Sequence, residues 1–478
     1  MRLSALLIGS KVSTPFQDVE IQGISYDTRS LRPGELFVAL RGYKTDGHRY
    51  IDEAMKKGAA AVVAEAGENC ILVPDSRAAL AKISANWFGH PARALTVVGV
   101  TGTNGKTTTT SLLKAVIEET LHTKAGLLGT IRNMIGPEEY PAQRTTPESY
   151  EVQQWLRRMV DAGCTHAVLE VSSHALALHR VDGIRFAAAA FTNLTREHLD
   201  FHQTMEAYRE AKGRLFTQCD TAVLNLDDES GRHYLDCSAC KTVTYSETKD
   251  EADLTAKNLR VFPNRVEFEA VTRDAITRVR LGIPGGFSVY NALCTLACAD
   301  VLGIGLRQAA AALSHAPGVK GRVEPVDHAG PGTVLIDYAH TPNALENVLS
   351  ALRDFTPGRL ICLFGCGGDR DRGKRAVMGS IAASMADYVV ITSDNPRTEE
   401  PAAIISDILK GLEGFSTPRL VEPDRETAIG LALNLLKEGD TLVLAGKGHE
   451  TTQEIRGELF PMDEREIVAR WTGQGLAR

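Results

Sequence analysis

Leu95-Thr96-Val97-Val98-Gly99-Val100 is a continuous apolar run that breaks into Gly102-Thr103-Asn104-Gly105-Lys106-Thr107-Thr108. A buried strand that ends in a glycine-rich turn and restarts as a helix constrains the fold more than any other segment. The unpaired N–H groups at a helix start favour an anion, and glycines let the backbone approach it without a Cβ clash. Lys106 has the reach to meet outer phosphates, and the Thr107 hydroxyl suits a magnesium ion travelling with them. Residues Gly102, Thr103, Asn104, Gly105, Lys106, Thr107 and Thr108 are therefore expected to bind ATP or GTP. One position departs from the usual phosphate loop: five residues before Gly105 stands Val100, where glycine is usual. A strand feeding such a loop belongs to an open α/β sheet.

The 478 residues exceed one ordinary core, and usual domain sizes give about three. Residues 1–93 hold short alternating stretches such as Glu35-Leu36-Phe37-Val38-Ala39-Leu40, bounded by Pro33-Gly34 and Gly42. A helix over 50–57 leads into an apolar run over 59–64. A second helix over 77–87 ends at Gly89-His90-Pro91, a stop signal that marks the first boundary. Strands over 166–171, 185–191 and 221–226, with helices over 149–162 and 204–216, predict a mainly parallel sheet covered by helices. Residues 253–279 read as a small antiparallel excursion, and a helix over 290–302 leads to a second boundary near Arg322. From Thr333 the alternation restarts: strands over 334–336, 360–364, 388–392 and a last one over 441–444, with helices over 343–352, 376–385, 401–412 and 427–436. The expected fold is α/β in three domains, 1–93, 94–324 and 325–478. The middle one is a P-loop ATPase with a mainly parallel sheet, and the last is Rossmann-like.

Composition excludes some function classes. A formal charge of −7 argues against general nucleic-acid binding, which needs a basic face, without excluding local basic pockets. No apolar run approaches the roughly 20 residues of a membrane helix. The start, Met1-Arg2-Leu3-Ser4-Ala5-Leu6-Leu7-Ile8, has too short an apolar stretch for a secretory signal, so a cytoplasmic address is expected. The nine cysteines are odd in number and irregularly spaced, a poor disulfide framework. Cys237-x-x-Cys240 lacks a second pair for zinc, and Cys294, Cys298, Cys362 and Cys366 read as buried small residues.

Further acids and bases follow the central strands. Glu170, in Glu170-Val171-Ser172-Ser173-His174, ends a strand across from the phosphate loop, where a magnesium ligand is expected; the alternative is a solvated strand-end charge. His198, in Asn193-Leu194-Thr195-Arg196-Glu197-His198-Leu199-Asp200, is either a metal ligand or a structural histidine. Lys212, in Tyr208-Arg209-Glu210-Ala211-Lys212, reads by itself as a solvated helix lysine.

Together with Tyr290-Asn291-Ala292, Asp337-Tyr338-Ala339-His340-Thr341-Pro342 and Gly446-Lys447-Gly448-His449-Glu450, these motifs run in the order seen in the Mur ligase family. The chain resembles that family over nearly its whole length. Tyr26-Asp27-Thr28-Arg29, followed by Gly34-Glu35-Leu36-Phe37-Val38 and Asp46-Gly47, resembles the uridine-nucleotide-binding domain of the branch that adds the third residue of the peptidoglycan stem peptide. Asp394-Asn395-Pro396-Arg397 is similar to the signature of the meso-diaminopimelate-adding enzymes, and the lysine-adding ones usually lack that arginine.

The resemblance implies ATP as co-substrate and two magnesium ions. It implies that Lys212 is carbamylated and, with Glu170 and His198, holds the second ion, while Thr107 and the phosphates hold the first. Lys106, Glu170, His198 and Lys212 are the implied catalytic set. Asn291, Arg322 and Asp337 would line the adenine and ribose side. Tyr26, Thr28, Thr145, Thr146, Ser172, Leu178 and Arg180 would contact UDP-N-acetylmuramoyl-L-alanyl-D-glutamate. Leu178 departs from the family, which often has glutamine there. Arg370, Asp394, Asn395, Pro396, Arg397, Gly446 and Glu450 would hold meso-diaminopimelate.

The implied reaction transfers the γ-phosphoryl group to a carboxylate, and an amine then displaces phosphate from the acyl phosphate. Meso-diaminopimelate is lysine with an extra carboxylate on its far carbon, so selecting it needs a cation there. A planar arginine grips a carboxylate through two hydrogen bonds, which points to Arg397. The alternative for Arg397 is a turn arginine paired with Glu399 or Glu400. The expected partners are small molecules, with no nucleic acid and no membrane, and a monomer is expected. Rival readings are the lysine-adding enzyme, folylpolyglutamate synthetase and a P-loop switch. Folylpolyglutamate synthetases lack the uridine-nucleotide domain, and the chain carries no guanine-specificity motif.

Overall fold

The computed structural model describes residues 1–42, 45–262, 264–353 and 355–473. Its contacts divide the chain into two compact units, Met1–Tyr245 with Ala297–Ile304, and Ser246–Leu296 with Gly305–Arg478. Among the described residues no helix is long and apolar enough to cross a membrane.

The first unit opens with four parallel strands in sequential order, Ile24–Ser25, Leu36–Val38, Ala61–Ala64 and Ile71–Leu72. The alternation expected over 35–40 does not govern burial: Leu36 through Leu40 are all buried. Leu36 and Val38 join one apolar cluster with Leu80 and Ile83 of the helix Ser76–Trp87, while Phe37 and Ala39 join another with Ala54. A parallel sheet covered on both faces has no solvent side to mark with polar residues. The Asp75 carboxylate caps the helix Ser76–Trp87 by accepting from Ala78 N at 2.9 Å.

The larger sheet of this unit runs Lys241–Ser246, Cys219–Asn225, Phe186–Phe191, Thr96–Thr101, Cys164–Glu170 and Lys124–Leu128, all parallel. An antiparallel edge of Arg132–Ile135 and Glu138–Pro141, not expected from the sequence, completes it. Thr96–Thr101 sits between Phe186–Phe191 and Cys164–Glu170, with Val100 opposite Glu170 and Thr101 opposite Phe191. The segments after these three strands therefore leave the same sheet edge at the point where strand order reverses, the position that binds ligands in open α/β sheets.

In the second unit Leu254–Phe262, Arg265–Thr272 and Ile276–Leu281 form the expected antiparallel meander. A second sheet follows, ordered Glu324–Val326, Thr333–Asp337, Thr441–Ala445, Leu360–Phe364, Tyr388–Ile391 and Arg419–Val421, parallel except for its first pair. Its residues alternate between two cores. Leu335, Cys362, Phe364, Val389 and Val443 meet the helices Pro342–Arg353, Gly373–Met385 and Pro401–Leu409. Ile336, Ile361, Leu363, Leu442 and Leu444 meet Arg425–Leu435 and Glu464–Trp471. The strand expected to be last is not: a hairpin of Thr452–Ile455 and Glu458–Pro461 follows it. Cys294, Cys298, Cys362 and Cys366 are buried, as their apolar surroundings suggested.

Candidate active site

The phosphate loop bridges the strand Thr96–Thr101 and the helix Lys106–Leu121. Gly102 has φ +150°, and a Cβ there would lie 1.8 Å from Thr192 Oγ1. Gly105 caps the helix in the left-handed region with φ +83°, so both positions require glycine. The neighbouring strand end clamps the loop: Asn104 N donates to Asn193 Oδ1 at 2.9 Å, Thr103 N to Asn193 O at 2.8 Å, and Thr192 Oγ1 to Asn104 O at 2.6 Å. Thr192 and Asn193 were not singled out as site residues in the sequence. Lys106 Nζ folds over the loop, donating to Gly102 O at 2.8 Å and Thr103 O at 2.7 Å.

Glu170 is 1% exposed, so it is not a solvated strand-end charge. Its carboxylate accepts from Thr107 Oγ1 at 2.9 Å, Thr130 Oγ1 at 2.9 Å and Thr130 N at 2.8 Å. A carboxylate against the P-loop threonine hydroxyl is the hard-oxygen set that magnesium favours.

Lys212 is also 1% exposed, which overturns its reading as a solvated lysine. On the helix Met205–Gly213, Tyr208, Ala211 and Lys212 are the buried residues, at i, i+3 and i+4, so the lysine points inward. Its Nζ donates to Gly102 O at 2.7 Å and lies 4.7 Å from the Tyr208 ring centroid. Burial, reinforced by the Lys106 charge, holds its ammonium well below the usual lysine range. Tyr208 meets Thr103 Oγ1 through its hydroxyl at 3.2 Å and stacks on His202 at 4.9 Å. His198 has φ +57°, and its ring lies edge-on to His174 at 4.9 Å. Burial lowers the imidazoles of His174 and His202 to about 4 and shifts His198 in the same direction.

The residues expected at the nucleotide-peptide substrate form a connected group beside Glu170. Thr145 Oγ1 meets Thr130 Oγ1 at 3.0 Å, Thr146 Oγ1 donates to Glu170 O at 2.8 Å, and Ser172 N donates to Thr146 Oγ1 at 3.1 Å. Arg180 donates to Thr146 O at 3.1 Å and pairs with Glu148 at 2.8 Å. Glu148 also receives Arg77 at 3.1 Å and Arg144 at 2.7 Å, so three guanidinium groups share one carboxylate. Leu178 is half-buried after the short helix Ser173–Ala177. The Tyr26 hydroxyl donates to Glu151 at 2.7 Å and feels the charges of Glu148 and Arg144, while Thr28 O accepts from Lys57 Nζ at 2.8 Å.

In the second unit Asn291 is buried on the helix Phe287–Val301. Asp337 accepts from Val323 N and Ala339 N, each at 2.8 Å, and burial raises its carboxyl. The Arg322 guanidinium lies 5.2 Å from the Tyr338 ring centroid. Three loops leave the carboxyl ends of consecutive strands. Gly446, with φ +114°, lies so close to Asp394 that a Cβ would come within 2.7 Å of Oδ2, and Asn395 Nδ2 donates to Glu450 Oε2 at 2.9 Å. A Cβ on Gly367 would meet Arg397 Nη1 at 2.9 Å and Arg370 Cγ at 3.7 Å. Pro396 O accepts from Glu399 N at 3.0 Å, closing the turn. Arg397 donates to Gly368 O at 2.8 Å and pairs with Glu454 at 3.1 Å. Glu399 pairs instead with Arg375 and Glu400 with Arg456, so Arg397 sits in the turn with Glu454 as its carboxylate partner rather than either of the two expected.

Three family models match this chain: the Mur ligase family catalytic domain over residues 20–93, the Mur ligase middle domain over 100–299, and the Mur ligase glutamate ligase domain over 321–448. The chain belongs to the Mur ligase family. This Mur ligase is 46% identical over 476 residues, 98% of each chain, to the UDP-N-acetylmuramoyl-L-alanyl-D-glutamate--2,6-diaminopimelate ligase of Caldanaerobacter subterraneus subsp. tengcongensis. A solved structure of a protein of that same name superposes with a TM-score of 0.70 at 33% identity, covering 95% of both chains. The MurF ligase of Thermotoga maritima in complex with ADP shares the fold, with a TM-score of 0.63 at 21% identity over 96% of this chain and 99% of that one.

Proposed function

We propose that this Mur ligase uses ATP to join meso-diaminopimelate to UDP-N-acetylmuramoyl-L-alanyl-D-glutamate through an acyl phosphate, in peptidoglycan precursor synthesis. The observation that carries the reading is the convergence of Asp394, Asn395 and Arg397 with Gly446 and Glu450 at one sheet edge, in a chain closely similar to ligases of that name. The domain limits 1–93, 94–324 and 325–478 belong to the proposal, as do a cytoplasmic location and a monomeric state.

The carboxylate of the acceptor and the γ-phosphate repel, so the first step needs positioning and charge neutralisation more than covalent help. Two unit charges about 4 Å apart interact by roughly 4 kcal/mol at an effective dielectric near 20. Lys106 brings its ammonium over the loop, and the helix N-terminus adds its dipole. Thr107 with Glu170 suits one magnesium ion, and the metal would supply charge neutralisation on the phosphates. Lys212 fits the carbamate that a second ion would need. Burial favours its neutral amine, whose lone pair can form an N–C bond to carbon dioxide with loss of one proton, turning a cation into a carboxylate-like ligand. Glu170 and His198 would complete that set. Arg180, Thr145, Thr146, Ser172 and Leu178, with Tyr26 and Thr28 in the N-terminal region, would hold the nucleotide-peptide. Asn291, Arg322 and Asp337 would serve the adenine and ribose.

Acyl-phosphate chemistry has an isotopic signature. With ¹⁸O in the acceptor carboxylate of the nucleotide-peptide, one labelled oxygen is expected in the released inorganic phosphate, read by mass spectrometry. Unlabelled phosphate accompanying full product formation would overturn the mechanism.

A further inference from the structure

Lys447 is 0% exposed, yet its ammonium sits between the two loops assigned above to the amino acid. Nζ donates to Asn395 Oδ1 and to Glu450 Oε2, each at 2.9 Å. Asn395 Oδ1 also accepts from Glu454 N at 3.0 Å. Two donors on one amide oxygen fix the orientation of that amide and turn Nδ2 to Glu450 Oε2. Glu450 Oε2 is therefore engaged twice, whereas Oε1 has no hydrogen-bond partner among the described residues.

A second tie lies behind the first. Arg425 and Glu464 form a fully buried ion pair, both side chains 0% exposed. The Arg425 fork donates to Ser393 O at 3.1 Å and Ala445 O at 2.9 Å. Those are the residues immediately before Asp394 and Gly446. A planar guanidinium spans two carbonyls at once, which the point charge of a lysine does not.

We propose that Lys447 is a positioning residue for amino-acid selectivity: it locks the Asn395 amide and the Glu450 carboxylate into one unit, on loops that Arg425 and Glu464 tie together. The inference rests on the assignment of these loops to diaminopimelate. The far end of diaminopimelate carries an ammonium and a carboxylate on one carbon, and lysine carries the ammonium alone. With Glu450 meeting the ammonium and Arg397 the carboxylate, the spacing between the loops decides which amino acid fits. Lys447 bridges the loop of Arg397 and the loop of Glu450, so it sets that spacing without touching the substrate.

The test is steady-state kinetics of the full chain with each substrate varied, for Lys447→Met, Arg425→Lys and Glu450→Gln, with melting curves for each. Lys447→Met is expected to raise the KM for diaminopimelate about tenfold to a hundredfold, the scale of lost charge-assisted hydrogen bonds. KM for ATP and for the nucleotide-peptide is expected to hold, and the preference for diaminopimelate over lysine to shrink. Arg425→Lys is expected to act in the same direction and more weakly. In the Glu450→Gln background Lys447→Met is expected to add little, because the two act as one unit. An unchanged KM and preference, or equal losses for all three substrates that simply add to Glu450→Gln, would overturn the proposal. If Lys447→Met does not fold, Arg425→Lys, which keeps the charge, decides by the same criteria. Wild-type protein that accepts lysine instead would count against the proposed substrate, and the variants are then judged on the KM for lysine.

Discussion

Arg397→Ala is expected to raise the KM for meso-diaminopimelate by about thirtyfold or more, on the scale of about 2–5 kcal/mol for removing one partner of a hydrogen-bonded charge pair. Arg397 is held by the Gly368 carbonyl and Glu454 beside Gly367, on the loop that carries Asp394 and Asn395. Its guanidinium is thereby aimed before substrate arrives, and a carboxylate entering the site meets a donor fork that needs little further ordering. ATP binding depends on the phosphate loop and is expected to survive. Lysine has no second carboxylate, so any turnover with lysine should change far less and the preference between the two amino acids should narrow. Calorimetric titration of diaminopimelate and of ATP checks both halves. Unchanged affinity for diaminopimelate would remove the assignment.

Lys212→Ala is expected to lower kcat by about 10²–10³, the range found when one preorganised electrostatic group is removed from an active site. The fold is expected to survive. Among the described residues Lys212 makes one hydrogen bond, to Gly102 O, and packs on Tyr208, while burial already penalises its charged form. Partial rescue by short-chain carboxylic acids, which replace the missing carbamate oxygens, would tie the loss to the modification. Turnover at the wild-type rate without added acid would remove the carbamate from the mechanism.

Much of this was legible in the residues. The phosphate loop falls between strand and helix because apolar residues through Val100 precede Gly102, and the motif order identified the family. What stayed hidden depended on burial and on strand order. Lys212 looked like a surface lysine when read alone, although the spacing of Tyr208, Ala211 and Lys212 already placed all three on one helix face. The strand Glu138–Pro141 escaped notice because it is a short polar edge on which Tyr140 alone packs against the core, too little to show a period. The stretch 35–40 reads as alternating, yet the strand Leu36–Val38 is buried throughout, because both its faces are covered. The pairing of Asn395 with Glu450, and the tie made by Lys447, require the strands Thr441–Ala445, Leu360–Phe364 and Tyr388–Ile391 to lie side by side. Chain order does not state that arrangement.

The central claim is most exposed in an ADP-release assay with UDP-N-acetylmuramoyl-L-alanyl-D-glutamate, ATP and magnesium, comparing meso-diaminopimelate with L-lysine. Strong release with diaminopimelate alone is the predicted result. Release with lysine in its place would contradict the selectivity assigned to Arg397, and silence with both would contradict the ligase reading itself.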